Sequence, residues 1–134
     1  LSSCSFGCHS SGEPTIRWNV VKEIAGYVKD NGGQTRLNTD GHGSFIQKRD
    51  ITPELKGIID SVSISLNSVD PVQYGELMRV DPKMHGEMVD FATKAKEFTR
   101  VILSIVGIND VDSEKAKQFV TEKIGAEYRV REFF

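Results

Sequence analysis

Residues 61–66 read Ser61-Val62-Ser63-Ile64-Ser65-Leu66. Apolar and hydroxyl side chains alternate strictly. Along an extended strand, Val62, Ile64 and Leu66 therefore face one way and three serines the other. A parallel sheet covered by helices on both faces is apolar on both, whereas helices outside a wet, ligand-holding interior produce alternation. An edge strand facing water produces it too. Two other segments repeat the pattern: Leu37 opposes Arg36 and Asn38, and Tyr128 and Val130 oppose Arg129 and Arg131. A curved, barrel-like sheet with a polar interior is the favoured reading.

Working outward, short strand-like runs take turns with amphipathic stretches. Ser3–Ser11 is a weak strand. Arg17–Asn31 is a helix with Val20, Val21, Ile24, Ala25 and Val28 at three- and four-residue spacing, stopped by Gly32-Gly33. Gln34–Thr39 is a strand, and Asp40–Asp50 is a glycine-rich polar loop. Thr52-Pro53-Glu54 opens a short helix with Leu55, Ile58 and Ile59 as its buried face. Asp70-Pro71 starts another, with Tyr74, Leu77 and Met78 on one side. Pro82–Phe98 is a longer helix, Arg100–Val106 an apolar strand, and Asp112 or Ser113 caps a helix that Gly125 ends. Glu127–Glu132 is the last strand. Helix-length crossovers demand parallel strands. The expected fold is α/β, a partial (βα) barrel of five parallel strands with helical crossovers, forming one domain over residues 1–134; a doubly wound open sheet is the other arrangement that fits.

The 134 residues are 38% hydrophobic and 27% charged with a net charge of −2, an ordinary balance that excludes a disordered or fibrous chain. No run approaches the ~20 apolar residues of a membrane helix, and no basic stretch followed by an apolar core marks a signal peptide. Basic residues are scattered among acidic ones, so neither nucleic acid nor membrane is an expected partner, and a cytoplasmic location is expected. The sequence begins at Leu1 rather than Met, close to a strand, as a processed chain or an internal piece of a larger protein would.

Parallel α/β folds bind ligands at the C-terminal ends of their strands. Those ends are Ser11-Gly12-Glu13-Pro14-Thr15, Asn38-Thr39-Asp40-Gly41-His42-Gly43, Ser65-Leu66-Asn67-Ser68 and Ser104-Ile105-Val106-Gly107. They are small and polar, suited to a small-molecule ligand, and they lack a nucleophile–base pair, leaving catalytic residues unassigned.

In order along the chain, Gly12-Glu13-Pro14-Thr15, Arg36–Gly41, Ile51–Leu55, Val62–Asn67 and Arg129–Arg131 resemble the motifs of the radical S-adenosylmethionine (radical SAM) superfamily, and within it the TatD-linked group. The resemblance runs from about Phe6 onward. It implies that Ser11, Gly12 and Glu13 lie along the methionine moiety of SAM, that Asn38 or Asp40 contacts ribose, that Ser65 and Asn67 meet the carboxylate and ribose, and that Ser104 flanks the adenine. The parent family uses S-adenosylmethionine and a [4Fe-4S] cluster held by a C-x3-C-x2-C motif. Here only Cys4 and Cys8 are present, and Ser11 stands at the third position. The cluster ligands are thus absent, and the family's first βα unit is expected to be missing. The expected function is a fragment of a radical SAM enzyme domain, inactive alone. The competing readings are a non-catalytic SAM or nucleotide-binding module and a metal-dependent barrel enzyme using Glu13, Asp40 and His42.

Each of these residues also has a plainer reading. Glu13 serves as a helix cap, Asp40–Gly43 as a turn, and Arg129 and Arg131 as a solvated strand face rather than carboxylate or phosphate binders. His9 and His85 are expected at the surface or boundary, and no metal site is assigned. Four residues apart in one straight strand, Cys4 and Cys8 lie ~13 Å apart, too far for a disulfide. The Ser3–Ser11 strand would be an unpaired edge, a route to a homodimer.

Overall fold

Five short runs pair side by side in the computed structural model, which describes residues 3–7, 13–107 and 111–131. They are β1 (Ser3–Phe6), β2 (Gln34–Thr39), β3 (Ser61–Ser65), β4 (Arg100–Val106) and β5 (Glu127–Arg131). All neighbours are parallel, in the order β1-β2-β3-β4-β5. An order that follows the sequence without a switch point, with crossovers of one hand, stacks every helix on one face. The result is an α/β partial barrel, as expected, rather than a doubly wound sheet.

The alternation is resolved by burial. On the helix side Leu37, Val62, Ile64, Val101, Leu103 and Ile105 are buried. They meet Trp18, Val21 and Ala25 of α1 (Trp18–Asp30), Tyr74 of α3 (Pro71–Met78), Met88, Phe91 and Ala92 of α4 (Met84–Ala95), and Ala116 of α5 (Ser113–Gln118) in one core. Their registered neighbours carry Arg36, Asn38, Ser63, Ser104 and Arg129 on the opposite face. That face is the lumen.

Several elements differ from expectation. β1 stops at Phe6, and the rest of the expected Ser3–Ser11 strand, with Cys8 and His9, lies outside the described residues. The first helix begins earlier, as a 3₁₀ turn over Pro14–Arg17. Its buried stripe is Trp18, Val21, Ala25 and Val28, while Val20 and Ile24 are 50% and 44% exposed. With Trp18 at its start, the buried stripe is centred on a face from which Val20 and Ile24 turn away. With Ile16 and Tyr27 they form a second apolar stripe, of which Ile16, Val20 and Ile24 border a groove of about 460 Å³ beside Phe6 of β1. The outer edge of β1 pairs with no strand among the described residues.

The Asp40–Asp50 loop contains a helical turn, α2 (Gly43–Gln47). Tertiary contact forms it: Gln47 Nε2 donates to the Thr15 carbonyl at 2.7 Å, and the Lys48 backbone turns left-handed to end it. The Thr52–Leu55 segment is a 3₁₀ turn entered from Ile51. Leu77 faces solvent rather than joining Tyr74. His85 is buried, against expectation, because its ring lies edge-on to Tyr74 and its Nε2 donates to the Ser68 carbonyl at 3.0 Å. Asp112 caps α5 as expected, accepting from the Glu114 and Lys115 amides; the helix then widens into a π turn over Phe119–Ile124 and ends at Gly125.

No helix among the described residues is long and apolar enough to cross a membrane.

Candidate functional site

The lumen face holds a cavity of about 250 Å³, lined by Asn38, Ser63, Ser65, Ser104, Arg129 and Arg131 among others. The register explains how these residues meet: Asn38 pairs with Ser63, Ser65 with Ser104, and Ser104 with Arg129. Side chains of partners in a parallel ladder share a face, so residues distant in sequence form one polar floor. Ile102 is an apolar spot on its floor, and Arg36 lines it from β2, across the cavity from β5. Arg131 reaches across β4, its Nη2 3.4 Å from Ser65 Oγ. The volume falls just short of the roughly 300–1,000 Å³ of sites that enclose a drug-sized ligand. Part of a ligand would fit here while the rest remained on the open side.

Glu13 joins two strand ends. Its Oε2 accepts from the Thr15 amide and hydroxyl, each at 2.6 Å. Its Oε1 accepts from the Asp40 amide at 2.7 Å and from the Thr39 hydroxyl. The carboxylate therefore fastens the start of the first helix to the C-terminal end of β2. It caps, and it also anchors. A carboxylate so supplied with donors is a positioning group for the rim.

Asp40 follows directly. Burial, and then the nearby Glu13 charge, push its carboxyl above the usual range, while His42 and Arg131 pull the other way. Gly41 turns the chain with φ +83°, and a Cβ there would come within 3.0 Å of Met88 Cγ. Behind this turn His42 Nε2 sits 2.8 Å from the hydroxyl of buried Tyr74. Burial lowers the His42 pKa and raises that of the Tyr74 phenol.

Past β3, Asn67 adopts a left-handed conformation, φ 60°. Its Nδ2 lies 2.9 Å from Met78 Sδ, and its buried Oδ1 has no partner. Asn takes this conformation more readily than most residues, so the feature that needs a reason here is the orphaned acceptor. The amides of Leu66 and Asn67 both donate to the Ser104 carbonyl, which bends the end of β3 towards β4.

Of the eight residues singled out from sequence, Asn38, Ser65 and Ser104 line the lumen cavity together. Thr39, which the Glu13 carboxylate holds together with the Asp40 amide, lines it too, whereas Glu13 itself lines the groove along the first helix and Asn67 turns its amide to Met78. Ser11 and Gly12 lie outside the described residues. Arg36 and Ser63, which the alternation placed on the polar face but not among the candidate site residues, line the cavity as well. Cys4 lies on β1 in register with Thr35, at the end opposite the lumen rim. No three His, Cys, Asp or Glu side chains gather to hold a metal ion among the described residues.

Neither a family model nor a curated protein matches this sequence. A solved structure does. The chain is similar to a domain of pyruvate-formate lyase-activating enzyme from Bacteroides vulgatus ATCC 8482, with TM-score 0.58 and 14% identity over 98% of this chain and 99% of that one. At that identity the likeness is one of fold.

Proposed function

We propose that this chain is the SAM-binding part of a radical SAM enzyme domain, with the lumen cavity as the place where the ligand's polar groups rest. The observation that carries this reading is the clustering of Asn38, Ser65 and Ser104 in one polar cavity. Three motifs that are separate in sequence supply them. The fold shared with a domain of pyruvate-formate lyase-activating enzyme, itself a radical SAM enzyme, supports it. The TatD-linked subgroup rests on the motifs alone.

The residues present fit S-adenosylmethionine. Hydroxyl and amide groups of Asn38, Ser65 and Ser104 suit ribose and carboxylate. Glu13 fixes the rim by holding Thr39 and Asp40. A [4Fe-4S] cluster does not fit this chain. The family motif needs three thiolates; two cysteines are present, and Cys4 is at the far end of β1. We therefore propose that the chain by itself binds SAM without cleaving it.

Isothermal calorimetry with SAM and with S-adenosylhomocysteine tests this. Saturable binding that weakens at least about tenfold in Ser104→Val, which swaps a cavity hydroxyl for methyls, is expected. Absence of binding to the folded chain would overturn the reading. Anaerobic iron–sulfur reconstitution should yield no stoichiometric cluster and no deoxyadenosine; both appearing together would contradict the statement about cleavage.

A further inference from the structure

The strands carry four of the chain's seven arginines, Arg36, Arg100, Arg129 and Arg131, and none of its lysines. All four stand on the lumen side, as the register shows. Arg100 is neutralised through two hydrogen bonds by Glu127, the single acidic residue among the described strand residues. Arg36, Arg129 and Arg131 have no carboxylate within ion-pair distance among the described residues. Asp40 and Glu127 feel the charges of Arg131 and Arg129 without closing on them. A molecule of net charge −2 thus gathers in one cavity three cations that form no ion pair among the described residues.

Two details argue against a merely solvated face. Arg129 and Arg131 are two residues apart on the same side of β5, so their charges repel. In addition, Arg131 does not point away into water. It spans β4 to reach Ser65 Oγ, which lays its guanidinium over the cavity. Arginine presents a planar fork that matches carboxylate and phosphate oxygens two at a time, which a lysine cannot do.

We propose that Arg129 and Arg131, with Arg36 on the facing wall, form an oxyanion-binding site that takes the carboxylate or phosphate group of the substrate. This rests on the reading of the lumen as the ligand face. Ile102, level with Ser63 in the ladder, would underlie the ligand's apolar part.

The test is titration of the intact chain with inorganic pyrophosphate and, separately, with succinate, at low ionic strength and again at high. Saturable binding of one probe, weakened by salt, is expected. The better probe tells phosphate from carboxylate. Arg131→Gln and Arg129→Gln should each weaken it at least about tenfold, and Arg131→Lys should fall between. Lys117→Gln on α5 should leave it unchanged. Binding of neither probe, or equal binding in the arginine variants, would overturn the site. A parallel titration with S-adenosylhomocysteine separates the outcomes. If it displaces the probe one for one, the arginines serve the carboxylate of the adenosyl ligand and the substrate assignment fails alone. If it does not bind while pyrophosphate or succinate does, the SAM reading fails and the oxyanion site stands.

Discussion

The two faces of the sheet are built from the same strands by opposite rules. On the helix side Leu37, Val62, Ile64 and Leu103 are fully buried. On the lumen side, one residue away along each strand, stand Arg36, Ser63 and Asn38, with Ser104 on β4. Burial of apolar area holds the sheet to its helices, and that work is complete on one face. The other face is therefore free to carry polar and like-charged groups that no core would tolerate. Apolar burial and polar display are separated by a step of one residue.

Substitution of neighbours across that divide should break the symmetry most sharply. Ile64→Ala should cost about 2–5 kcal/mol, because a fully buried side chain leaves a cavity behind. Ser63→Ala, next to it, should stay within about 0.5 kcal/mol. Denaturant midpoints of the pair measure the contrast, and equal effects would abolish the distinction between the faces.

Gly43→Ala should come next. An added Cβ would stand 2.8 Å from Ile51 Cδ1 and 2.9 Å from Thr15 Cγ2, where the rim meets the core. Overpacking of this kind costs about 1–3 kcal/mol, read as a lower melting temperature. Gly26→Ala, with nothing within 4 Å, should show no such loss.

A smaller effect follows from the histidines behind the rim. Burial depresses the pKa of both His42 and His85 below the ordinary 6.5. The unfolded chain then binds more protons than the folded one as pH falls through 6.5 towards the lower folded values. Stability present above that window is lost across it. The melting temperature should decline on acidification below about 6.5, and the decline should be shallower in His42→Gln.

The smallest stability change belongs to the lumen. Arg129→Gln should shift stability by no more than about 0.5 kcal/mol while weakening anion binding, because its exposed side chain makes no ion pair among the described residues. A large loss of stability would show that the arginine is structural.

Much of this architecture is legible in the sequence. The bounds of β2 and β4 agree with the expected Gln34–Thr39 and Arg100–Val106, since short strands between turn residues and helices leave few alternatives. The strict alternation of Ser61–Ser65 correctly assigned both faces. Asn38, Ser65 and Ser104 were singled out as strand-end residues, and they line one cavity because strand ends on the polar face converge by topology. What stayed hidden depends on distance in sequence. Nothing near Glu13 announces that its carboxylate ties to Thr39 and Asp40, 26 and 27 positions on. Likewise the burial of His85 follows from Tyr74 and Ser68, which belong to another segment. The α2 turn went unseen because its sequence, with Gly41, Gly43 and Asp40 around it, has the local chemistry of a loop.

The role assigned to the lumen face is tested most directly by mapping amide chemical shifts of the isotopically labelled chain as S-adenosylhomocysteine is added. Shifts should saturate and concentrate at Asn38, Ser63, Ser65 and Ser104, leaving the exposed stripe of Val20, Ile24 and Tyr27 unmoved. Saturating shifts confined to that stripe, or none at any residue, would contradict it.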